Sequence, residues 1–447
     1  MWNSVKSSSR CLLRIHKCRR FERTFLSESY PCTDAWNRRL ESPLLSKINP
    51  SDMFLELDQR FNKSGLASAI DVDIFANTLK DPERVDELID ILHRLRNSTE
   101  ATNILESTQH AVIRYFLEIN DKKTLLEVLN DRLNYGIFPD HFTYNVLMNQ
   151  FIKEKDFVSA TKIGSLLMLQ EDADHKLTNE LSVYSCLQYL ENIDSWTLPP
   201  PPPVNPKEEV VKVRVGYLRN PYFDDHFDIR EPKEIAGKTL VFFSKNSNDT
   251  LGRSCHLGGL ILWKKYDKAA ELAKSYIDAG VKDVIYTKML NIVDKELQDI
   301  PEDKITDEVK SLKTILEKLR QVGLKEGCYL EEQEERVKKA VKDHEENDIK
   351  KQLQCYEEWD KERMDLLHKQ IEDLDKKRRL ENVEKTKKEI QTEERLLNFF
   401  DKEEEIELEI EKKLQWEEET YGPILEVKED LENNYIPPEI TKKSRVQ

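Results

Sequence analysis

Residues 136–170 read GIFPDHFTYNVLMNQFIKEKDFVSATKIGSLLMLQ, and the spacing of their apolar side chains decides the fold class. Phe142, Val146, Leu147 and Phe151 recur at helical spacing, and Phe157, Ala160, Ile163, Leu166 and Leu167 do so again. Lys153, Glu154, Lys155 and Asp156 form a polar break between the two runs. Pro139 and Asp140 stand where the first helix must start, because proline needs no N–H partner there and aspartate accepts from the open amides of the first turn. A hairpin of two amphipathic helices cannot bury its apolar face alone, so it requires neighbours of the same build.

Those neighbours are present at a fixed period. Residues 106–140, ESTQHAVIRYFLEINDKKTLLEVLNDRLNYGIFPD, form a 35-residue frame with a helix, a polar break at Asn120 to Lys123, and a second helix. A looser copy covers residues 71–105, where Pro82 opens a helix whose face carries Val85, Leu88, Ile89, Leu92 and Leu95. The first helix of a fourth copy begins near Leu181.

The run Gly136-Ile137, Pro139-Asp140, Thr143-Tyr144-Asn145 and Leu147 resembles the junction between two pentatricopeptide repeats, helix-pair solenoids that bind RNA in organelles. Tetratricopeptide repeats have a similar period but place Trp, Leu-Gly and Tyr in the first helix, and residues 106–170 contain no Trp. The resemblance implies that the fifth residue of a frame pairs with its last to read a base, here His110 with Asp140 and Asn145 with His175. Neither pair matches a particular base, and the frame before gives Phe75 with Leu105, which has no hydrogen-bonding group. Capping and packing are therefore the preferred reading of these residues.

The start of the chain differs in composition. Before residue 24 there are seven Lys/Arg and one acid, several serines, and Leu12, Leu13 and Ile15 on one helical face. This is the composition of a mitochondrial transit peptide, expected over residues 1–30, with a basic disordered tail as the competing reading. Charged residues make up 35% of the 447, and mean hydropathy is −0.68, so much of the chain is solvated helix rather than packed core. No run approaches the roughly 18 apolar residues of a membrane span. The seven cysteines show no paired spacing of the kind zinc sites use.

Charge is uneven along the chain. Residues 1–40 carry nine basic and three acidic groups, residues 41–198 carry 15 and 26, residues 207–290 carry 15 and 12, and the remainder is acidic again. A net-acidic solenoid argues against a grip on a duplex through phosphates alone, so a local basic face has to do it.

Five consecutive prolines at 199–203 form a semi-rigid spacer, 198–206, and end the expected repeat region, 40–197. Beyond it the alternation in VVKVRVGYL, with Lys212, Arg214 and Gly216 on the open side, predicts a strand, and Arg219 follows it. A second strand is expected in KTLVFFSK, an aromatic loop in NPYFDDHFDIREP, and a helix through ILWKKYDKAAELAKSYIDAG that stops at Gly280. Residues 207–290 are thus expected to form a small α/β module. From about Ile292 to the end, 291–447, the chain is a charged helical, coiled-coil-like region. Its sparse stripe, Val337, Val341, Ile349, Leu353, Tyr356, Leu367, Ile371 and Leu374, is interrupted by Asp360 and Arg363. The fold class expected is mainly α: a helix-pair solenoid, a strand-containing middle module and a long charged C-terminal helical region.

Catalytic motifs are weak. AGKT at 236–239 lacks the first glycine of a phosphate loop, because Pro232 stands in its place, and GRSCH has His256 where a nucleophile elbow needs glycine. Asp224, Asp225, His226 and Asp228 are the right chemical types for a metal, but such groups so close together more often cap turns. No cofactor, metal or catalytic residue is expected.

Three or four repeats at one base each specify too few nucleotides to find a unique transcript, whereas a fixed rRNA site needs no search. Taken whole, the chain resembles the mitochondrial small ribosomal subunit protein twenty-seven family. That resemblance implies a non-catalytic structural role in the mitochondrial matrix. It also implies contact with small-subunit rRNA and other mitochondrial ribosomal proteins, with tRNA or mRNA as further partners, and support of translation. The candidate RNA contacts are His110, Arg114, Asp140, Asn145 and Lys153 in the repeats and Lys212, Arg214 and Arg219 beyond the spacer. The rivals are a free pentatricopeptide factor acting on an organellar transcript, and an enzyme whose repeats deliver RNA to residues 207–290.

Overall fold

The computed structural model describes residues 25–191, 196, 224–280, 283–301, 306–398 and 402–422. These residues form sixteen α-helices and no sheet; the β-pairing among them is one isolated parallel bridge between Tyr286 and Lys325. By internal contacts the chain divides into a unit ending at Met364 and a second from Asp365.

The first unit begins with α1 (Thr33–Arg38), α2 (Pro50–Ser64), α3 (Ala69–Thr78) and α4 (Val85–Arg96). The two regular frames follow as α5 (Glu106–Glu118) with α6 (Lys122–Asn130) and α7 (His141–Glu154) with α8 (Phe157–Gln170). Their breaks fall where the polar runs stand, with Asn120 at φ 58° and Lys155 at φ 63° turning the chain through the left-handed region. Asp140 caps α7, its Oδ1 accepting from the Thr143 N–H at 3.0 Å. Apolar faces from α2 to α8 share one core that includes Phe75, Phe116, Leu129, Leu147, Phe151 and Leu167. Val337, Ala340 and Val341 enter the same core from the C-terminal part of the chain.

A second core joins α9 (Lys176–Glu191) to α10 (Pro232–Ser244), α11 (Thr250–Leu262), α12 (Tyr266–Asp278), α13 (Thr287–Gln298) and α14 (Asp307–Val322). Here the expected strand KTLVFFSK is instead the body of α10. The reason is tertiary: Ala236 and Leu240 lie one turn apart and pack inward, which a strand cannot arrange. Gly237 and Gly259 let α10 and α11 touch through their backbones, since a Cβ on Gly237 would stand 2.8 Å from the Gly259 carbonyl oxygen. The other expected strand, VVKVRVGYL, lies outside the described residues, as do the five prolines and residues 1–24 of the expected transit peptide. The single helix expected up to Gly280 is two, α11 and α12, broken at Lys264 with φ 59°. Gly280 itself ends α12 at φ 60°.

The charged C-terminal region is helical: α15 (Tyr329–Asn398) and α16 (Glu403–Tyr421). In the second unit α16 and the rest of α15 are mostly solvent-exposed, including Leu380, Val383, Ile390 and Leu408. Among the described residues no helix is long and apolar enough to cross a membrane.

Candidate nucleic-acid interface

His110, Asn145 and Glu180 occupy equivalent positions 35 residues apart on α5, α7 and α9. The structure brings these positions together and covers each of them with other parts of the same chain. The His110 ring bonds to the Thr143 hydroxyl at 3.0 Å through Nδ1 and to the Tyr356 hydroxyl at 3.1 Å through Nε2. Trp36, Tyr356 and Trp359 surround it with centroids 5.0–5.5 Å away. The Asn145 amide donates to the Tyr30 hydroxyl at 2.9 Å, and that hydroxyl donates to the Asp348 carboxylate at 3.0 Å. Gln333 donates to the Glu180 carboxylate at 2.6 Å and to its carbonyl at 3.0 Å.

Helix α15 therefore crosses the repeats in the direction opposite to chain order. Arg363 meets Asp73 on α3, Tyr356 meets His110 on α5, and Asp348 meets His175, whose Nε2 is 3.2 Å from its carboxylate. These α15 residues are seven and eight apart, about 10–12 Å along the helix at 1.5 Å per residue. The segment 25–39 completes the cover, with Tyr30 stacked on Phe142 at 4.9 Å and Trp36 buried beside α5.

The anchor is an ion pair. Arg363 Nε donates to Asp73 Oδ2 at 2.7 Å, and their side chains are 4% and 0% exposed. The other Asp73 oxygen accepts from the Ser107 hydroxyl, from Thr108 Oγ1 at 2.9 Å and from Asn77 Nδ2 at 3.0 Å. A charge this deep is tolerated because Arg363 and three further donors answer it. Beside it a cavity of about 390 Å³ opens between α1, α3 and α15. Arg39 in its wall is stacked 3.7 Å over the Trp36 ring and donates to the Asn77 carbonyl.

Burial, with the Arg114 and Arg39 charges beyond it, holds the His110 imidazole well below its ordinary pKa, so the ring is neutral. Burial and the Asp348 carboxylate push the Tyr30 phenol up, which keeps it a proton donor.

Of the other expected contacts, Arg114 is buried and donates to the Pro31 carbonyl. Asp140 is exposed and spent on its cap, and Lys153 is exposed in the last turn of α7. Lys212, Arg214 and Arg219 lie outside the described residues. The acidic loop is a folded turn: Asp224 Oδ1 accepts from the His226 N–H at 2.7 Å, and Asp228 accepts from the Asp224 N–H at 2.9 Å. His226 donates from Nε2 to the Leu169 carbonyl at 3.0 Å and accepts at Nδ1 from Lys238 at 2.8 Å, so both ring nitrogens are used. Cys255, in the rejected elbow, lies inside α11 with its thiol pushed up by burial, the opposite of an activated nucleophile.

Sequence reasoning missed the Asp73–Arg363 pair and the docking of residues 25–39. One signal was visible. Arg363, which interrupts the apolar stripe of α15, does so because it is the residue that reaches into the core of the repeats.

Residues 1–389 match the family model described as "Mitochondrial 28S ribosomal protein S27".

Proposed function

The chain belongs to the mitochondrial 28S ribosomal protein S27 family, and from that membership we propose that it holds small-subunit rRNA and neighbouring ribosomal proteins as a structural, non-catalytic part of the particle. It is a component of the mitochondrial small ribosomal subunit in the matrix. Its helix pairs are pentatricopeptide-like, and they act as a scaffold for α15 rather than as readers of bases.

The observation that carries this reading is the filled groove. A free factor that selects a transcript needs unstacked bases to reach side chains at the repeating positions. Here His110, Asn145 and Glu180 are hydrogen-bonded to Tyr356, Tyr30 and Gln333. A ribosomal component has no such need, because its binding place is fixed by assembly and its affinity can come from phosphate and protein contacts on its outside. The acidic balance of the chain, −16 overall, suits contact with basic neighbouring proteins.

Sedimentation tests the assignment. Through a high-salt gradient of mitochondrial lysate the protein is expected to co-migrate with the small subunit; recovery only in the light, soluble fractions would favour the free transcript factor.

A further inference from the structure

With the repeats covered, the RNA-facing surface has to lie elsewhere, and the charge pattern of the second unit points to one place. Residues 376–388 read KKRRLENVEKTKK: seven basic residues against two acidic, inside a chain whose net charge is −16. All thirteen are helical and exposed. Among the described residues, the one cation of this stretch with a carboxylate within 4 Å is Lys385, which stands 3.9 Å from Glu389. Lys376, Lys377, Arg378, Arg379, Lys387 and Lys388 are left without an acidic partner of that kind. The contrast with α16 is sharp, since Glu403–Tyr421 holds nine acids and two basic residues. Charges of one sign are gathered, not interspersed as they would be on a merely solvated helix.

We infer that residues 376–388 of α15 grip the phosphate backbone of RNA. The inference rests on the ribosomal reading above and names the surface that carries it. Thirteen helical residues extend about 20 Å at 1.5 Å per residue, long enough to meet several successive phosphates. Long Lys and Arg side chains reach them without any base contact, giving sequence-independent, salt-sensitive affinity. A bilayer is the less suitable anion. Membrane-surface helices need one continuous apolar face, but Lys376 lies four residues before Leu380, Arg379 four before Val383, and Lys387 seven after Leu380, which puts cations among the apolar residues.

The test uses the full chain and a variant carrying K376Q, K377Q, R378Q, R379Q, K387Q and K388Q; glutamine retains helix propensity. Each is titrated with a labelled duplex from small-subunit rRNA over a series of KCl concentrations. If about three phosphates are held at once, the variant is expected to bind more than tenfold more weakly, and its slope of log K against log salt to be smaller by about 2–3. Exchanging every Lys for Arg and every Arg for Lys in the stretch should preserve both. An unchanged slope in the glutamine variant, with helicity by circular dichroism equal to that of the parent, overturns the inference. So does loss of binding to cardiolipin-containing vesicles with RNA binding intact, because the surface then serves lipid. The two readings fail separately: a parent chain absent from the small-subunit peak defeats the ribosomal assignment. A parent chain present there, with a variant of unaltered RNA affinity, defeats this surface alone.

Discussion

At the scale of single residues, the chain places its most costly groups where they lock α15 to the repeats. Removing one partner of a buried ion pair leaves the other charge uncompensated, which costs about 3–5 kcal/mol. Asp73→Ala is therefore expected to lower the unfolding free energy by about that amount in denaturant titration. Adding Arg363→Met to it should restore a large part, since an apolar side chain of similar length needs no partner. Loss confined to a few tenths of a kcal/mol would mean that the pair is not the anchor. His110 supplies a pH signature. Its native pKa lies below that of the unfolded chain, so above about pH 6.5 neither state is charged and its contribution is complete. As pH falls from there the unfolded chain takes up a proton that the folded one refuses, and stability declines by up to about 1.4 kcal/mol per pH unit. Burial also lowers His141 and His256, which act in the same direction. Unfolding measured between pH 7 and pH 5 should show a shallower decline in His110→Gln than in the parent.

Elements show how far a local pattern can be trusted. The frames 106–140 and 141–175 were legible because apolar spacing, polar breaks and the Pro139-Asp140 start all agree, and the helices fall where they indicate. KTLVFFSK misled because a short apolar run carries no period of its own; only its partners distinguish a strand from a buried helix. The glycine just before it was the informative residue. Gly237 in AGKT serves backbone contact with Gly259, and an added methyl at either position collides with the facing backbone. Gly237→Ala and Gly259→Ala are each expected to cost about 1–3 kcal/mol, the range for overpacking a tight contact. A rise or no change in thermal midpoint would contradict the close crossing of α10 and α11.

Over the whole molecule, we propose that the N-terminal segment serves import first and packing afterwards. The Arg-rich start directs import in our reading, so deleting residues 1–23 should leave the protein cytosolic in fractionated cells. From Phe25 onward the chain is structural: Leu26 is 3% exposed, Tyr30 is fully buried, and Phe25 and Leu26 both donate their backbone N–H to the Asn149 side chain. A recombinant chain beginning at Phe25 gives the reference stability. A chain beginning at Cys32 should lose about 3–5 kcal/mol, since a buried Tyr is removed and Asn145 and Asp348 both lose the Tyr30 hydroxyl. Equal stability of the two truncations would rule out the docking role of this segment.

What the sequence determined by itself is the set of short-range decisions: helix pairs at a 35-residue period, their caps and breaks, and the extended charged C-terminal helix. Each is settled by residues within one or two turns of one another, so spacing and capping chemistry suffice. The family resemblance also rests on such local residues. The tertiary structure alone decided what those helices are for one another. Asp73 and Arg363 are 290 positions apart, and Tyr30 and Asp348 are 318 apart. No local pattern shows that α15 lies across the repeats, that His110 and Asn145 are consequently closed off, or that α10 is a helix because α9 and α11 bury it. A side chain's availability depends on what covers it, and coverage is a property of the packed chain, not of its spacing along the sequence.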